Sequence, residues 1–425
     1  MGNKGNKSKK INGNNKKLNN NNDSTIFNQK NKEINLSKVP KPFFKNKKTF
    51  SNYTCDNFEI FSLKDNNNAF YLAFSPLSID FQGIIIYKYP YKEKIFKEIN
   101  RIKTDTMELT ELIIKYFYNP LNYKEYLFVA KNYQDIEIYY IKSEKHFEFI
   151  NKDETLKAKF DIYLRDSIHQ ISSIDLFEVI YNKYNQDVYV ITSFSLGEEY
   201  YISSSSYYKK NIRIQLFKND KLTTLKEFSF YIKEPSDVTN IIYEDANLKK
   251  IFILIIEDNE IKYIEIKQLY FYTEEFDNFI NSEDDFEYLK EYFSKRKNCK
   301  ACIIKGEDNI NYFYIISQRK PGYYQDEEIH INLIIIDLLK RKIFKKIKFC
   351  DLFYSVLNWN NKYLIFYKYR SFSIFCTKNN RVITKYSNFL GQDECINSIK
   401  IFFSLNHNFY SLFINAEKLE FYITN

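Results

Sequence analysis

The chain has 425 residues, 44% hydrophobic and 18% aromatic, with a formal net charge of +9. That is ample apolar material for a large core, and its 38 Tyr and 39 Phe favour strands over helices. The charge is uneven: residues 1–50 carry 13 Lys against 2 acidic residues, so the remainder is close to neutral and does not read as a specific nucleic-acid-binding surface.

Residues 1–40 are dominated by Asn and Lys and read as a disordered basic tail, too poor in apolar residues to offset the entropy of ordering. The start, Met1-Gly-Asn-Lys4, lacks the apolar core of a secretory signal, and no apolar run is long enough for a membrane-spanning helix. Gly2 is a candidate N-myristoylation site, although Asn6 stands where Ser or Thr is preferred. Lys4, Lys7, Lys9, Lys10, Lys16 and Lys17 supply a polybasic patch suited to an anionic membrane surface, or nonspecifically to another polyanion. Six sparse, irregularly spaced cysteines point to a reducing, cytoplasmic setting without disulfides.

From residue 41 onward, short apolar and alternating runs separated by turn residues predict strands in groups of four. The first group takes 58–63, 70–74, 83–87 and 94–99; the second takes 112–118, 126–130, 136–141 and 146–150. The third takes 174–180, 188–193, 212–217 and 225–231; the fourth takes 238–243, 251–256, 261–266 and 269–272. The fifth takes 301–305, 312–317, 331–337 and 342–349; the sixth takes 353–357, 363–367, 372–376 and 381–385. A last group has only 396–403, 409–414 and 419–423, and its missing strand has one donor, 43–50. A recurring four-stranded unit of this length predicts an all-β propeller over 41–425, with seven blades in a range of six to eight, closed by the 43–50 strand against the C-terminal strands. One segment departs from the pattern. Residues 282–297 carry Phe286, Leu289 and Phe293 on one helical face, acids at the start and Lys295, Arg296 and Lys297 at the end, so a short inserted helix is expected there.

The blades resemble degenerate WD repeats, best in 113–141, in 356–385 with its core Leu357-Asn-Trp-Asn-Asn-Lys-Tyr-Leu-Ile, and in 395–423. The resemblance implies a β-propeller serving as a non-enzymatic docking platform for proteins. No Trp-Asp or Gly-His dipeptide occurs and Trp359 is the only tryptophan, so the family's Asp-His-Ser-Trp hydrogen-bond network is not carried over to any residue.

Chemical motifs are few. Cys299 and Cys302 have the spacing of a zinc half-site or redox pair, but no second pair exists and both fall at the start of a predicted strand. His146, His169, His330 and His407 lie in different blades without a nucleophile motif, and no phosphate-cradling glycine loop is present. The cluster Glu283-Asp284-Asp285 suits the first turn of the inserted helix. No cofactor, metal, small-molecule substrate or catalytic residue is therefore expected.

Loop placement carries more information. The long connections 151–173, 194–211, 273–300 and 319–330 all leave one rim, whereas 119–125, 182–187 and 358–362 on the other are short. Long insertions on one face of a repeat protein mark a binding face. Tyr200, Tyr201, Tyr207, Tyr208, Tyr323 and Tyr324 are its candidate protein-binding residues. The function expected is a non-catalytic scaffold or adaptor that docks proteins on this rim. The alternative is a peripheral membrane adaptor targeted by Gly2 acylation and the basic tail.

Overall fold

The computed structural model describes residues 46–50 and 57–424 apart from 67, 77–80, 94, 105–111, 132–134, 154–170, 197–207, 233–238, 246–247, 258–259, 276–279, 295, 320–330, 350–354, 360–361, 369–370, 388–397, 406–407 and 416–417. The strand β1 (Asn46–Phe50) comes first in the chain and belongs to the last sheet. Blade one is β2 (Phe58–Phe61), β3 (Ala69–Phe74), β4 (Gly83–Pro90) and β5 (Lys97–Lys103). Blade two is β6 (Leu112–Asn119), β7 (Lys124–Lys131), β8 (Ile136–Ser143) and β9 (His146–Asp153). Blade three is β10 (Ile171–Asn182), β11 (Asp187–Leu196), β12 (Tyr208–Lys218) and β13 (Lys221–Ile232). Blade four is β14 (Thr239–Asp245), β15 (Lys250–Glu257), β16 (Glu260–Glu265) and β17 (Tyr270–Glu275), followed by the helix α1 (Glu283–Ser294). Blade five is β18 (Arg296–Lys305), β19 (Asn311–Arg319), β20 (Ile331–Asp337) and β21 (Lys342–Phe349). Blade six is β22 (Ser355–Trp359), β23 (Tyr363–Lys368), β24 (Ser371–Cys376) and β25 (Arg381–Ser387). Blade seven is β26 (Ser398–Leu405), β27 (Asn408–Asn415) and β28 (Lys418–Thr424), completed by β1, which pairs antiparallel with β28 from Asn46↔Ile423 to Phe50↔Leu419.

In six of these sheets the strands are antiparallel neighbours in chain order, and in the seventh the order is β1-β28-β27-β26. First strands of successive blades adjoin, β2 with β6, β6 with β10, β14 with β18, β18 with β22 and β22 with β26, so the first strand of each blade is the innermost. The core consists of the interfaces between blades. In β7, Tyr126, Phe128 and Ala130 pack with Val188, Val190 and Phe194 of blade three, while Leu127 and Val129 pack with Tyr71, Ala73 and Ile84 of blade one. Period-two geometry sends alternate side chains to opposite faces. A strand covered on both faces therefore reads as a continuous apolar run.

The inserted helix forms where expected, but it is shorter. Ser282 Oγ accepts a hydrogen bond from the Asp285 N–H at 3.4 Å, and Glu283, Asp284 and Asp285 occupy the first turn. Arg296 and Lys297, expected at the helix end, lie instead in β18, opposite Arg319 and Gln318 of β19. A ladder pairing outweighs the few tenths of a kcal/mol that a terminal cation gains from the helix dipole (~0.3–1 kcal/mol). The helix buries Leu289 and Tyr292 among Phe252, Leu254, Phe313 and Ile334, between blades four and five. Asp285 Oδ2 accepts the Ile343 N–H at 2.9 Å, and the Asn281 N–H donates to Arg341 O at 2.8 Å. Much of the 273–300 connection is thus committed to packing against the last hairpin of blade five, which removes it from the expected binding loops.

Blade one's last strand also differs: it is expected over 94–99 and found as Lys97–Lys103. Phe96, read as part of the strand, instead precedes it and packs edge-on against Phe70 and tilted against Tyr89. Among the described residues no helix is long and apolar enough to cross a membrane.

Candidate functional sites on the inner strands and rims

Of the sequence-predicted site residues, Gly2, Lys4, Lys7, Lys9, Lys10, Lys16, Lys17, Tyr200, Tyr201, Tyr207, Tyr323 and Tyr324 lie outside the described residues. Tyr208 opens β12 opposite Ile232, because β11 and β12 extend further than expected and the 194–211 connection contracts accordingly. Cys299 and Cys302 both belong to β18. Cys302 packs beside the blade five–six core, and burial pushes its thiol up to about 12, so it is a poor nucleophile and metal ligand. Among the described residues no group of three or more His, Cys, Asp or Glu is placed to hold a metal.

The structure assembles a charged chain that sequence reasoning missed. Glu59, Lys115 and Glu178 sit on the innermost strands of blades one, two and three. Each lies two residues before the position opposite a strand-two tyrosine: Phe61 faces Tyr71, Phe117 faces Tyr126 and Ile180 faces Tyr189. They are the same repeat position in three consecutive blades. Lys115 Nζ bonds Glu178 Oε1 at 2.7 Å, and Glu59 Oε1 accepts the Tyr116 N–H at 3.3 Å. Burial raises the Glu59 carboxyl to about 7, with the Lys115 charge and the Tyr116 N–H opposing and Glu178 reinforcing the shift. Burial also works against the charged form of Lys115, but Glu178 and Glu59 outweigh it and hold the ammonium above its usual range.

The sign of the resulting pH dependence is fixed. A carboxyl whose folded pKa exceeds its unfolded value near 4.5 makes the folded state bind the extra proton, so stability falls as pH rises from there to about 7. Glu59→Gln keeps an acceptor for the Tyr116 N–H and removes the penalty. Urea titrations should show the variant more stable by about 1–3 kcal/mol at about pH 8 and similar to wild type near about pH 5. Parallel stability curves across that range would show that Glu59 does not titrate there.

A second polar assembly lies under the rim of long connections. Lys131, the last residue of β7, is fully buried and bonds Glu137 Oε1, with Asp135 Oδ1 at 3.3 Å. Asp135 Oδ2 also meets Lys152 Nζ at 2.9 Å, and Glu137 Oε2 accepts the Tyr139 hydroxyl at 2.7 Å. On the other face of blade two, Gln215 Nε2 bonds Asp153 Oδ2, and Arg213 Nε meets Glu227 Oε2 at 3.1 Å. Such buried charges persist only when paired and hydrogen-bonded.

No family model matches the chain, and no curated relative matches it. Among solved structures it is similar to the crystal structure of Saccharomyces cerevisiae Sqt1, at 7% identity over 90% of this chain and 99% of that one, with a TM-score of 0.51. It is also similar to the AfRom2 CNH domain, at 10% identity over 89% of this chain and 99% of that one, with a TM-score of 0.48. At such identities the likeness shows architecture alone. The fold is a seven-bladed β-propeller.

In this propeller pairs of turn residues and strand-two tyrosines tie the hairpins. Asn66 Nδ2 donates to the Tyr71 hydroxyl at 3.0 Å, Asn122 to Tyr126 at 3.0 Å and Asn185 to Tyr189 at 2.6 Å. In blade five the Tyr312 hydroxyl donates to Asp308 Oδ2 at 2.7 Å. The hairpins of blades one, two and five also reach the last hairpin of the next blade. Asn66 Nδ2 donates to Glu144 Oε1 at 3.3 Å, Tyr126 donates to Asp220 Oδ1 at 2.7 Å, and Lys378 meets Glu307 at 3.4 Å. The short-turn rim is stitched from blade to blade.

Proposed function

We propose that the protein is a non-catalytic scaffold that docks protein partners on the rim of long connections. One asymmetry carries this reading. The first-to-second and third-to-fourth turns share a rim and are tied to the neighbouring blade, while the connections 154–170, 197–207 and 320–330 all leave the opposite rim. A base tied from blade to blade, with long connections on the opposite face, is the layout in which repeat proteins bind partners. The inner-strand carboxylates do not argue for catalysis, since Lys115 bridges toward both of them and Glu178 is held in an ion pair.

The test is affinity capture from native cells with the full chain and with variants in which 197–207 and 320–330 are replaced by short Gly-Ser connectors. Partners recovered by wild type should be lost from the doubly trimmed variant, with its thermal unfolding unchanged. Equal recovery from both chains would remove the long-connection rim as the docking face.

A further inference from the structure

We propose that β1 is a releasable strap: the propeller opens at blade seven by parting β1 from β28 while the other six blades stay paired. In those six blades the outermost strand, β5, β9, β13, β17, β21 or β25, directly follows in the chain the strand it pairs with. Short turns hold the two partners together, as where the Leu269 N–H donates to Glu265 O at 2.8 Å and the Leu339 N–H to Asp337 Oδ1 at 3.0 Å. A strand tethered in this way stays beside its partner when it lifts off, and closing so short a loop again costs little entropy. No turn joins β1 to blade seven. Its chain neighbours are residues 1–45 on one side and, through residues 51–57, blade one on the other. Release of β1 therefore regains more backbone entropy than release of a hairpin strand.

The register points the same way. β1 is the shortest of the seven outermost strands, with five residues paired from Asn46↔Ile423 to Phe50↔Leu419. Alternation places Leu419, Phe421 and Ile423 at positions on one face of β28. Opposite them β1 offers Phe50, Lys48 and Asn46, so only Leu419 has an apolar partner. On the other face Lys47 lies opposite Tyr422 and Thr49 opposite Glu420. Blade four differs: there Phe271 of the outermost strand lies opposite Ile264, and Tyr272 opposite Tyr263. Aromatic and β-branched pairs across a ladder stabilise a sheet, whereas Asn and Lys are depleted from strands. The segment that closes the ring is thus matched to its site less well than the site allows.

Parting at this seam gives a defined open form. Blade seven keeps the β26–β27 and β27–β28 ladders, and β28 gains a free edge over Lys418–Thr424. The innermost strands β22 and β26 still adjoin, so the three-stranded blade stays attached to blade six. No ladder of blades one to six is broken, because β1 pairs only with β28. Ring closure is then a step separate from the pairing of the blades, with an opening free energy below that of global unfolding. The inference does not depend on which rim docks partners.

Native-state hydrogen exchange of the full chain in low urea tests it. The β28 amides bonded to β1 should exchange at least about tenfold faster than the β12 amides bonded to β13, at urea concentrations well below the unfolding midpoint. Asn46→Val with Lys48→Val gives Ile423 and Phe421 β-branched partners and should slow β28 exchange by about three- to tenfold, with β12 unchanged. Thr49→Cys with Glu420→Cys, at directly opposite positions, supplies a second check. Oxidation should fasten the strap and bring β28 exchange down to the rate of global unfolding, and reduction should reverse this. If the wild-type β28 amides exchange only through global unfolding, β1 does not release and the proposal fails. If they exchange fast but neither the valine pair nor the oxidised cysteine pair slows them, the opening lies elsewhere in blade seven and the proposal fails as well.

Discussion

A chain lacking residues 1–50 is expected to lose cooperative folding, whereas one lacking only residues 1–40 keeps it. The difference is β1, which contributes five ladder pairs to β28 and is the only strand from the N-terminal end in the seventh sheet. Without it the last blade has three strands, β28 becomes an open edge, and the two ends of the ring are no longer joined. Ladder hydrogen bonds contribute roughly 0.5–1.5 kcal/mol each, so the direct loss is about 3–5 kcal/mol. Total stabilities are about 5–15 kcal/mol, which makes that a large share. The exposed strand adds a route to edge-to-edge association. Thermal unfolding followed by size-exclusion chromatography should show a lower, broader transition and oligomers for the shorter chain. If the two truncated chains melt within about 2 °C of each other, closure by the N-terminal strand contributes little.

That closure was legible because the last repeat is one strand short and a single unclaimed segment precedes the first. Blade two was legible to within three residues at every strand end, since Pro120, Asn122 and the pair Glu144-Lys145 punctuate apolar runs sharply. Continuous runs such as 251–256 were read as doubly covered strands. The structure shows why, with Ile253 and Ile255 packed toward blade three and Phe252 and Leu254 toward blade five. Blade three was the harder case. Ser195, Lys210 and Asn211 fall in the expected 194–211 connection, and Arg213 and Gln215 read as the exposed side of a half-buried strand, yet all are buried at strand positions between blades. Polarity marks a loop only when the polar groups face water, and here several find partners within the fold. The inner-strand chain of Glu59, Lys115 and Glu178 escaped notice for another reason. Its members are more than fifty residues apart and meet through the ring geometry, and the only sequence signal is their shared register position once the blades are aligned. The rim residues expected from sequence lie outside the described residues, apart from Tyr208, so the rim reading rests on connection lengths rather than side chains.

At Lys131 the expected effect is as large and has a pH signature. Lys131→Met replaces a fully buried ammonium by an apolar chain of similar length, leaving Asp135 and Glu137, themselves 1% and 4% exposed, without their shared cation. Asp135 keeps Lys152 at 2.9 Å, while Glu137 keeps only the Tyr139 hydroxyl among its named partners. Breaking a buried ion pair from one side costs about 3–5 kcal/mol, because the remaining charge stays desolvated. In the variant, Glu137 relieves the penalty by holding its proton, so its folded pKa rises above the unfolded value. The loss should then be smallest in acid and grow as pH increases through that raised value. Urea unfolding at about pH 5 and about pH 7.5 measures it, and adding Glu137→Gln to Lys131→Met should recover part of the stability at the higher pH. A loss that is equal at both pH values, with no recovery in the double variant, would mean that Lys131 acts through packing of its aliphatic stem and not through its charge.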